Sequence, residues 1–235
     1  MFCILERMIQ NIQCKDSFDT YFPFAKHLSQ QEEEELCDKT RPVKYPKGAL
    51  LQTPGEKCLG ILQILSGELR VYMVSEEGRE ITLYRLSDGD SCILSASCIL
   101  EAITFDVFIE AESDVSLLQI PTAEFQNLAS KNIYVEAFAY KLTTQRFSEV
   151  MWAMQQILFM SFDKRLAIFL IDESVKTKNE NVLLSHEQIA KYMGSAREVV
   201  SRMLKYFAQE GIVKLSRKNI QILDRKKLRA LTVKA

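Results

Sequence analysis

Ser185-His186-Glu187-Gln188-Ile189-Ala190-Lys191-Tyr192-Met193-Gly194-Ser195-Ala196-Arg197-Glu198-Val199-Val200-Ser201-Arg202-Met203-Leu204 reads as two short helices and the turn between them. Ser185 and Gln188 have the spacing of a capping box, in which each side chain reaches the other's backbone N–H. Ile189-Ala190-Lys191-Tyr192 continues that helix. Gly194 supplies the tight turn, and Ser195 is placed to cap a second helix that runs to about Gln209. Ile189, Ala190, Val200 and Leu204 fall where the two helices must pack. This is helix-turn-helix spacing, a geometry in which the start of the second helix enters the major groove of DNA. Gly211 ends that helix. Ile212-Val213-Lys214-Leu215 and Ile220-Gln221-Ile222-Leu223 then flank Ser216-Arg217-Lys218-Asn219, a two-stranded wing with a basic tip suited to phosphate contact.

The charge of the chain divides in the same way. The net charge of −1 averages two opposed halves. Residues 162–235 hold 16 basic and 8 acidic side chains, and residues 1–161 hold 14 basic and 23 acidic ones. A basic segment is the electrostatic footprint of a nucleic-acid binder, although a solvated basic surface has the same composition.

Glycine and proline mark the acidic half as β structure. Gly48, Gly55, Gly60, Gly67, Gly78 and Gly89 lie there, and all five prolines precede residue 122. Short apolar runs between such turn signals predict an antiparallel β barrel or jelly roll. Leu69, Val71 and Met73 alternate with Arg70 and Tyr72, a pattern with one buried face. Ser75-Glu76-Glu77-Gly78-Arg79 makes a hairpin loop, and strands are expected near 104–111 and 115–120. Ser29–Cys37 predicts a short helix with its acidic residues near the start.

From Ile133 to Phe159 there is neither glycine nor proline. Thr143, Phe147, Val150, Met154 and Ile157 follow 4-3-4-3 spacing, flanked by Met151 and Leu158. This is a helical seam near the heptad period, serving either a dimer coiled coil or packing on its own domain. A helix of that length, about 40 Å, outreaches the barrel beside it, which favours the dimer. A further helix from Phe162 to about Ser174 and a polar loop over 176–181 follow. The expected organisation is α+β: a sensing barrel over 1–130, a long dimerisation helix over 131–160 and a winged helix-turn-helix over 161–235.

With 47% hydrophobic and 26% charged residues, the composition is that of a globular protein. No stretch reaches the roughly 18 apolar residues of a membrane span. Glu6 and Arg7 interrupt the first apolar run, so no secretory signal is expected and a cytoplasmic protein is. An enzyme is disfavoured. There is no glycine-rich phosphate loop, no clustered set of metal ligands, and only two histidines for any catalytic arrangement.

The run from Leu184 to Asp224 resembles the C-terminal domain of the Crp/Fnr superfamily, bacterial regulators related to the catabolite activator protein. Gly194-Ser195-Ala196-Arg197-Glu198-Val199-Val200-Ser201-Arg202 resembles the family's recognition helix, and the order of barrel, long helix and winged helix is similar too. The resemblance implies that Arg197, Glu198 and Arg202 read bases, with Ser201 close by. Arginine offers a fork to guanine, and glutamate accepts from cytosine. Ser185, Ser195, Lys191, Arg217 and Lys218 are expected at phosphates. The resemblance also implies a homodimer, a pseudo-palindromic DNA operator with half-sites about one helical turn apart, and RNA polymerase as a partner. The competing reading is a ligand sensor that acts on a protein partner.

What the barrel senses is less defined. Family members that bind cyclic AMP carry Gly-Glu and then Arg-Ser or Arg-Thr after the glycine turn. Here the stretch is Gly89-Asp90-Ser91-Cys92-Ile93-Leu94-Ser95-Ala96-Ser97-Cys98, and no Arg or Lys occurs from Ser91 through Val115. A cyclic phosphate there would lack its countercharge, so cAMP is not expected. Cys3, Cys14 and Cys37 lack the close spacing usual for an iron–sulfur cluster. Neither His27 nor His186 is placed to ligate haem. Reduced, buried cysteines are the expectation, with a redox role open for Cys92 and Cys98. An unidentified small organic effector remains, with Cys92, Ser95, Ser97, Cys98, Tyr140 and Thr144 as candidate contacts between barrel and long helix.

Overall fold

The computed structural model describes residues 18–56, 58–93 and 107–233. Cys3, Cys14, Ser95, Ser97 and Cys98 lie outside the described residues. The chain divides into two compact units. One comprises the chain up to Met73 with Leu83–Val150, the other Val74–Thr82 with the chain from Met151 onward.

The first unit opens on aromatic residues and a capped helix. Ser29 Oγ accepts from the Glu32 backbone at 3.3 Å, and the Glu32 carboxylate accepts from the Ser29 backbone at 2.7 Å. This capping box starts α1 (Gln30–Lys39), and its bonds hold the Glu32 carboxyl below the usual carboxylate range. Eight strands follow: β1 (Arg41–Tyr45), β2 (Leu50–Gln52), β3 (Ile61–Ser66), β4 (Leu69–Val74), β5 (Glu80–Leu86), β6 (Ser91–Cys92), β7 (Phe108–Ala111) and β8 (Val115–Ile120). They form two four-stranded sheets with the orders β1-β8-β3-β6 and β2-β7-β4-β5. This is the expected jelly roll. Leu62, Ile64, Leu69, Val71, Leu86, Ile109 and Leu117 fill its interior. Gly60 is required where β3 begins. Its φ is +105°, and a Cβ there would stand 1.9 Å from the Ile120 carbonyl oxygen.

Strand β4 departs from its alternating pattern. Arg70 and Tyr72 are buried as well, while Met73 and Val74 are exposed. Arg70, 1% exposed, lies 3.8 Å from Glu110, its partner across the β4–β7 ladder. Its guanidinium stacks over Tyr72 at 4.2 Å, and Tyr72 stacks on Phe108. A cation on the second face of a strand is tolerated because it is paired and stacked.

Helix α2 (Thr122–Ala129) leads into α3 (Ile133–Phe159), 27 residues and about 40 Å long. Val135, Ala139, Leu142 and Arg146 are its buried positions. Val135, Ala139 and Leu142 join Phe18, Phe22, Phe24, Phe125 and Ile120 in a second core cluster. Among the described cysteines, Cys92 is a buried thiol outside any disulfide. Cys37 and Cys58 are each disulfide-bonded, contrary to the expected reduced state.

In the second unit, α4 (Phe162–Lys176), α5 (His186–Met193), α6 (Arg197–Gln209) and α7 (Arg225–Val233) surround a three-stranded sheet. That sheet has the order β10 (Val213–Ser216), β11 (Asn219–Ile222), β9 (Asn181–Val182). Asn181 thus ends the expected polar loop as a strand residue, held by pairing to Gln221. Leu166, Leu170, Ile189, Val200, Leu204, Phe207, Ile220 and Leu228 form its core. Among the described residues no helix is long and apolar enough to cross a membrane.

Candidate nucleic-acid interface

Helix α5 begins as its sequence requires. Ser185 Oγ accepts from the Gln188 backbone at 3.2 Å, and Gln188 Oε1 accepts from the Ser185 backbone at 3.0 Å. Gly194 ends the helix in the left-handed region (φ 56°, ψ 47°), and its N–H bonds back to the last turn. The Ser195 N–H donates to the Ala190 carbonyl at 2.9 Å, which closes the turn.

The start of α6 differs from expectation. Its N-cap is Ala196, not Ser195, and no side chain caps it. The first-turn amides at the positive dipole end therefore lack a side-chain cap, a state that suits an anionic group. Ser195 is half-buried in the turn.

Val200, Leu204 and Phe207 bury one side of α6. The opposite side carries the proposed readers: Arg197, Glu198 and Arg202 are exposed and Ser201 is half-buried. Glu198, Ser201 and Arg202 share a shallow groove with Lys205, Tyr206 and Gln209. Those last three were not singled out in the sequence, although their spacing of three, four and seven residues from Arg202 puts them along the same helical stripe.

The wing is a tight hairpin. Ser216 pairs with Asn219, so Arg217 and Lys218 alone make the turn, both exposed. Lys218 has φ +56°, a conformation unfavourable for a residue with a Cβ. A cleft of about 360 Å³ separates the wing from the start of α5, lined by Ser185, His186, Glu187, Arg197, Ser216, Lys218 and Asn219, among others. His186, not singled out as a DNA contact in the sequence, lines this cleft. Lys191 points elsewhere: its ammonium lies 3.6 Å from the Glu80 carboxylate.

These features form an exposed, cation-rich helix face beside a basic hairpin on a helix-turn-helix core. Residues 164–231 match the Crp-like helix-turn-helix domain family, and residues 42–132 match the cyclic nucleotide-binding domain family. A crystal structure from Eubacterium rectale ATCC 33656, assigned to the crp/fnr family of transcriptional regulators, is 43% identical. It aligns with 90% of this chain and 98% of its own at a TM-score of 0.86. The chain belongs to the Crp/Fnr family of transcriptional regulators.

More distant relatives of this Crp/Fnr regulator extend along nearly its whole length. The transcriptional activator protein anr of Pseudomonas aeruginosa is 25% identical over 96% of this chain and 94% of its own. FnrA of Stutzerimonas stutzeri is 28% identical over 93% and 91%. FixK2 from Bradyrhizobium japonicum, 20% identical with a TM-score of 0.67 over 83% and 98% of the two chains, shares the fold. The helix-turn-helix of this regulator is thus a DNA-binding domain, its barrel is of the cyclic-nucleotide-binding type, and it is not an enzyme.

In the barrel unit, the structure separates the candidate effector contacts. Cys92 is buried in the core between the sheets. Tyr140 and Thr144 lie one turn apart on the exposed side of α3, and the Thr144 hydroxyl donates to the Tyr140 carbonyl at 2.8 Å. The helix instead sends Arg146 inward. Arg146 donates to both Glu149 carboxylate oxygens at 2.8 and 2.7 Å and to the Ser91 carbonyl at 3.3 Å. It also lies 3.8 Å from Asp90 and 5.1 Å over the Tyr84 ring. Tyr84 and Arg146 are 8% and 7% exposed, yet the Tyr84 hydroxyl and Arg146 Nε have no hydrogen-bond partner among the described residues. Burial pushes the Tyr84 phenol well above its usual range, and Cys92 adds to the shift.

The dimer candidates of α3 also divide. Phe147, Met151, Met154 and Leu158 are exposed, while Thr143, Val150 and Ile157 are half-buried. Val150 packs against the barrel core, and the Thr143 hydroxyl donates to the Ala139 carbonyl.

Proposed function

We propose that this chain is a homodimeric, signal-gated regulator that reads a pseudo-palindromic operator with the exposed face of α6. Arg197, Glu198, Ser201 and Arg202 meet base edges, while Ser185, Ser195, Arg217 and Lys218 meet the backbone. The observation that carries this reading is the orientation of α6. Its apolar stripe is buried, and Glu198, Ser201, Arg202 and Lys205 share one open groove. Each bidentate base contact contributes about 1–3 kcal/mol of discrimination. Arg202→Ala should therefore reduce operator affinity by roughly ten- to a hundredfold while leaving the fold intact; unchanged affinity would remove Arg202 from the reading set.

The homodimer reading is supported by a seam that runs the length of α3. Ile133, Ala137, Tyr140, Thr144, Phe147, Met151, Met154 and Leu158 are spaced 4-3-4-3-4-3-4, and all eight are exposed. A heptad stripe of this kind meets its equals on a second helix. It takes in Tyr140 and Thr144 as seam residues in place of effector contacts. The three-part division of the chain into sensor, seam and reader goes with this reading, as does RNA polymerase as the partner.

For the signal, two observations favour specific arms. The unsatisfied Tyr84 hydroxyl and Arg146 Nε, at the junction of β5, β6 and α3, support a small organic effector bearing hydrogen-bonding oxygen. A cyclic phosphate fits less well, because Glu149 and Asp90 already neutralise Arg146. The disulfide-bonded Cys37 and Cys58 support a redox arm. Operator selection in parallel with and without reductant separates the two. A motif found under one condition alone assigns the signal to the cysteines, and the same motif under both assigns it to an effector.

A further inference from the structure

We propose that the cleft between the start of α5 and the wing is a proton-linked phosphate site, in which His186 takes up a proton as a backbone phosphate of the duplex enters. This rests on the DNA-binding reading above and adds a chemistry and a pH response to it.

The site draws on three elements. Helix α5 contributes Ser185 and His186, α6 contributes Arg197, and the wing contributes Ser216, Lys218 and Asn219, around a cleft of about 360 Å³. A phosphate needs several donors converging from different directions and a surplus of positive charge. Ser185, Lys218 and the imidazolium supply the donors, and Arg197 at the edge of the same cleft adds positive charge while its guanidinium faces the bases. The charged groups that face His186 are Arg197 and Lys205 from α6, Lys218 from the wing and Glu187 from its own helix. Three cations outweigh one carboxylate.

Free of DNA, His186 is held below the ordinary histidine range. Partial burial is the largest cause, and Arg197 and Lys205 add to it. The imidazole is therefore neutral near pH 7. A backbone phosphodiester, held in the cleft by the rest of the bound duplex, reverses the balance, because it cancels the local positive charge and accepts from the imidazolium. A group whose pKa rises on binding makes affinity rise as pH falls, across the interval between its free and bound pKa values. Up to one proton passes from the buffer acid to the imidazole per phosphate engaged, leaving the buffer base in solution.

The test uses the full chain and a random-sequence duplex, since a backbone contact carries no base preference. Affinity is measured at constant ionic strength at about pH 6 and about pH 8. The wild type should bind about three- to tenfold more tightly at the lower pH. His186→Gln should lose that difference, and His186→Arg, a permanent cation, should bind tightly at both. The chain has two histidines, so the imidazole signals of His186 and of His27, an internal control, are followed directly by NMR. The pKa of His186 should rise with the duplex, and inorganic phosphate at equal phosphate concentration should not reproduce the rise. Duplex binding that ignores pH, a pH response unchanged in His186→Gln, or an equal shift with inorganic phosphate overturns this inference alone. No retention of duplex at any pH overturns the DNA-binding reading as well.

Discussion

Lys218 carries a conformational cost that the proposed phosphate contact would explain. It holds φ +56° at the tip of the wing, where glycine is at ease and lysine is not. Lys218→Gly should leave the domain as stable as before or more stable by up to about 1 kcal/mol. It should also weaken duplex binding equally across sequences and lower the slope of log affinity against log salt by about one. Thermal unfolding and a salt titration of the same variant check both halves. A loss confined to one sequence would mean that Lys218 reads a base instead of a phosphate. Arg70 and Arg146 teach the complementary lesson at this scale. Each sits in a local pattern that gives no warning of burial, and each is buried because distant residues complete it: Glu110 for the first, beside its strand neighbour Tyr72, and Ser91, Asp90 and Tyr84 for the second. Residues 91–115 hold no Arg or Lys of their own. A cation reaches that end of the sheet from residue 146.

At the scale of elements, the turn between α5 and α6 depends on Gly194. Gly194→Ala places a Cβ in the left-handed region and should destabilise the second unit by about 1–2 kcal/mol. The shift in urea midpoint, read from the single tryptophan Trp152, measures it. No shift would mean that the turn relaxes to another conformation. Helix α3 carries the other prediction. Phe147→Glu with Met154→Glu puts charges into the middle of the exposed seam, where each buried large side chain contributes about 1.5–3 kcal/mol. The double variant should elute as a monomer by light scattering; a retained dimer would place the interface elsewhere. These two elements also mark what was legible. The capping box, Gly194 and the wing were readable because each is a short-range device: Ser185 finds Gln188 three residues away, and Ser216 pairs with Asn219 across two. The span of α3 was readable from the lack of Gly and Pro. Which of its faces turns inward was not, because Thr143, Val150 and Ile157 fit the heptad spacing as well as their exposed neighbours do. Only the barrel core, with which Val150 packs, decides between them.

The molecule as a whole joins an acidic barrel half to a basic helix-turn-helix half, a separation that the net charge of −1 conceals. Under the proposed function, that polarity draws a duplex to the second half through counterion release, and the face of α6 then selects sequence. Selection of bound genomic fragments by the wild type and by Arg202→Ala, side by side at moderate salt, with and without reductant, tests the central claim most directly. The wild type is predicted to enrich a pseudo-palindromic motif with half-sites about one helical turn apart, and Arg202→Ala to retain duplex in general but lose that motif. The same motif enriched to the same extent by both proteins would contradict the assignment of sequence reading to α6.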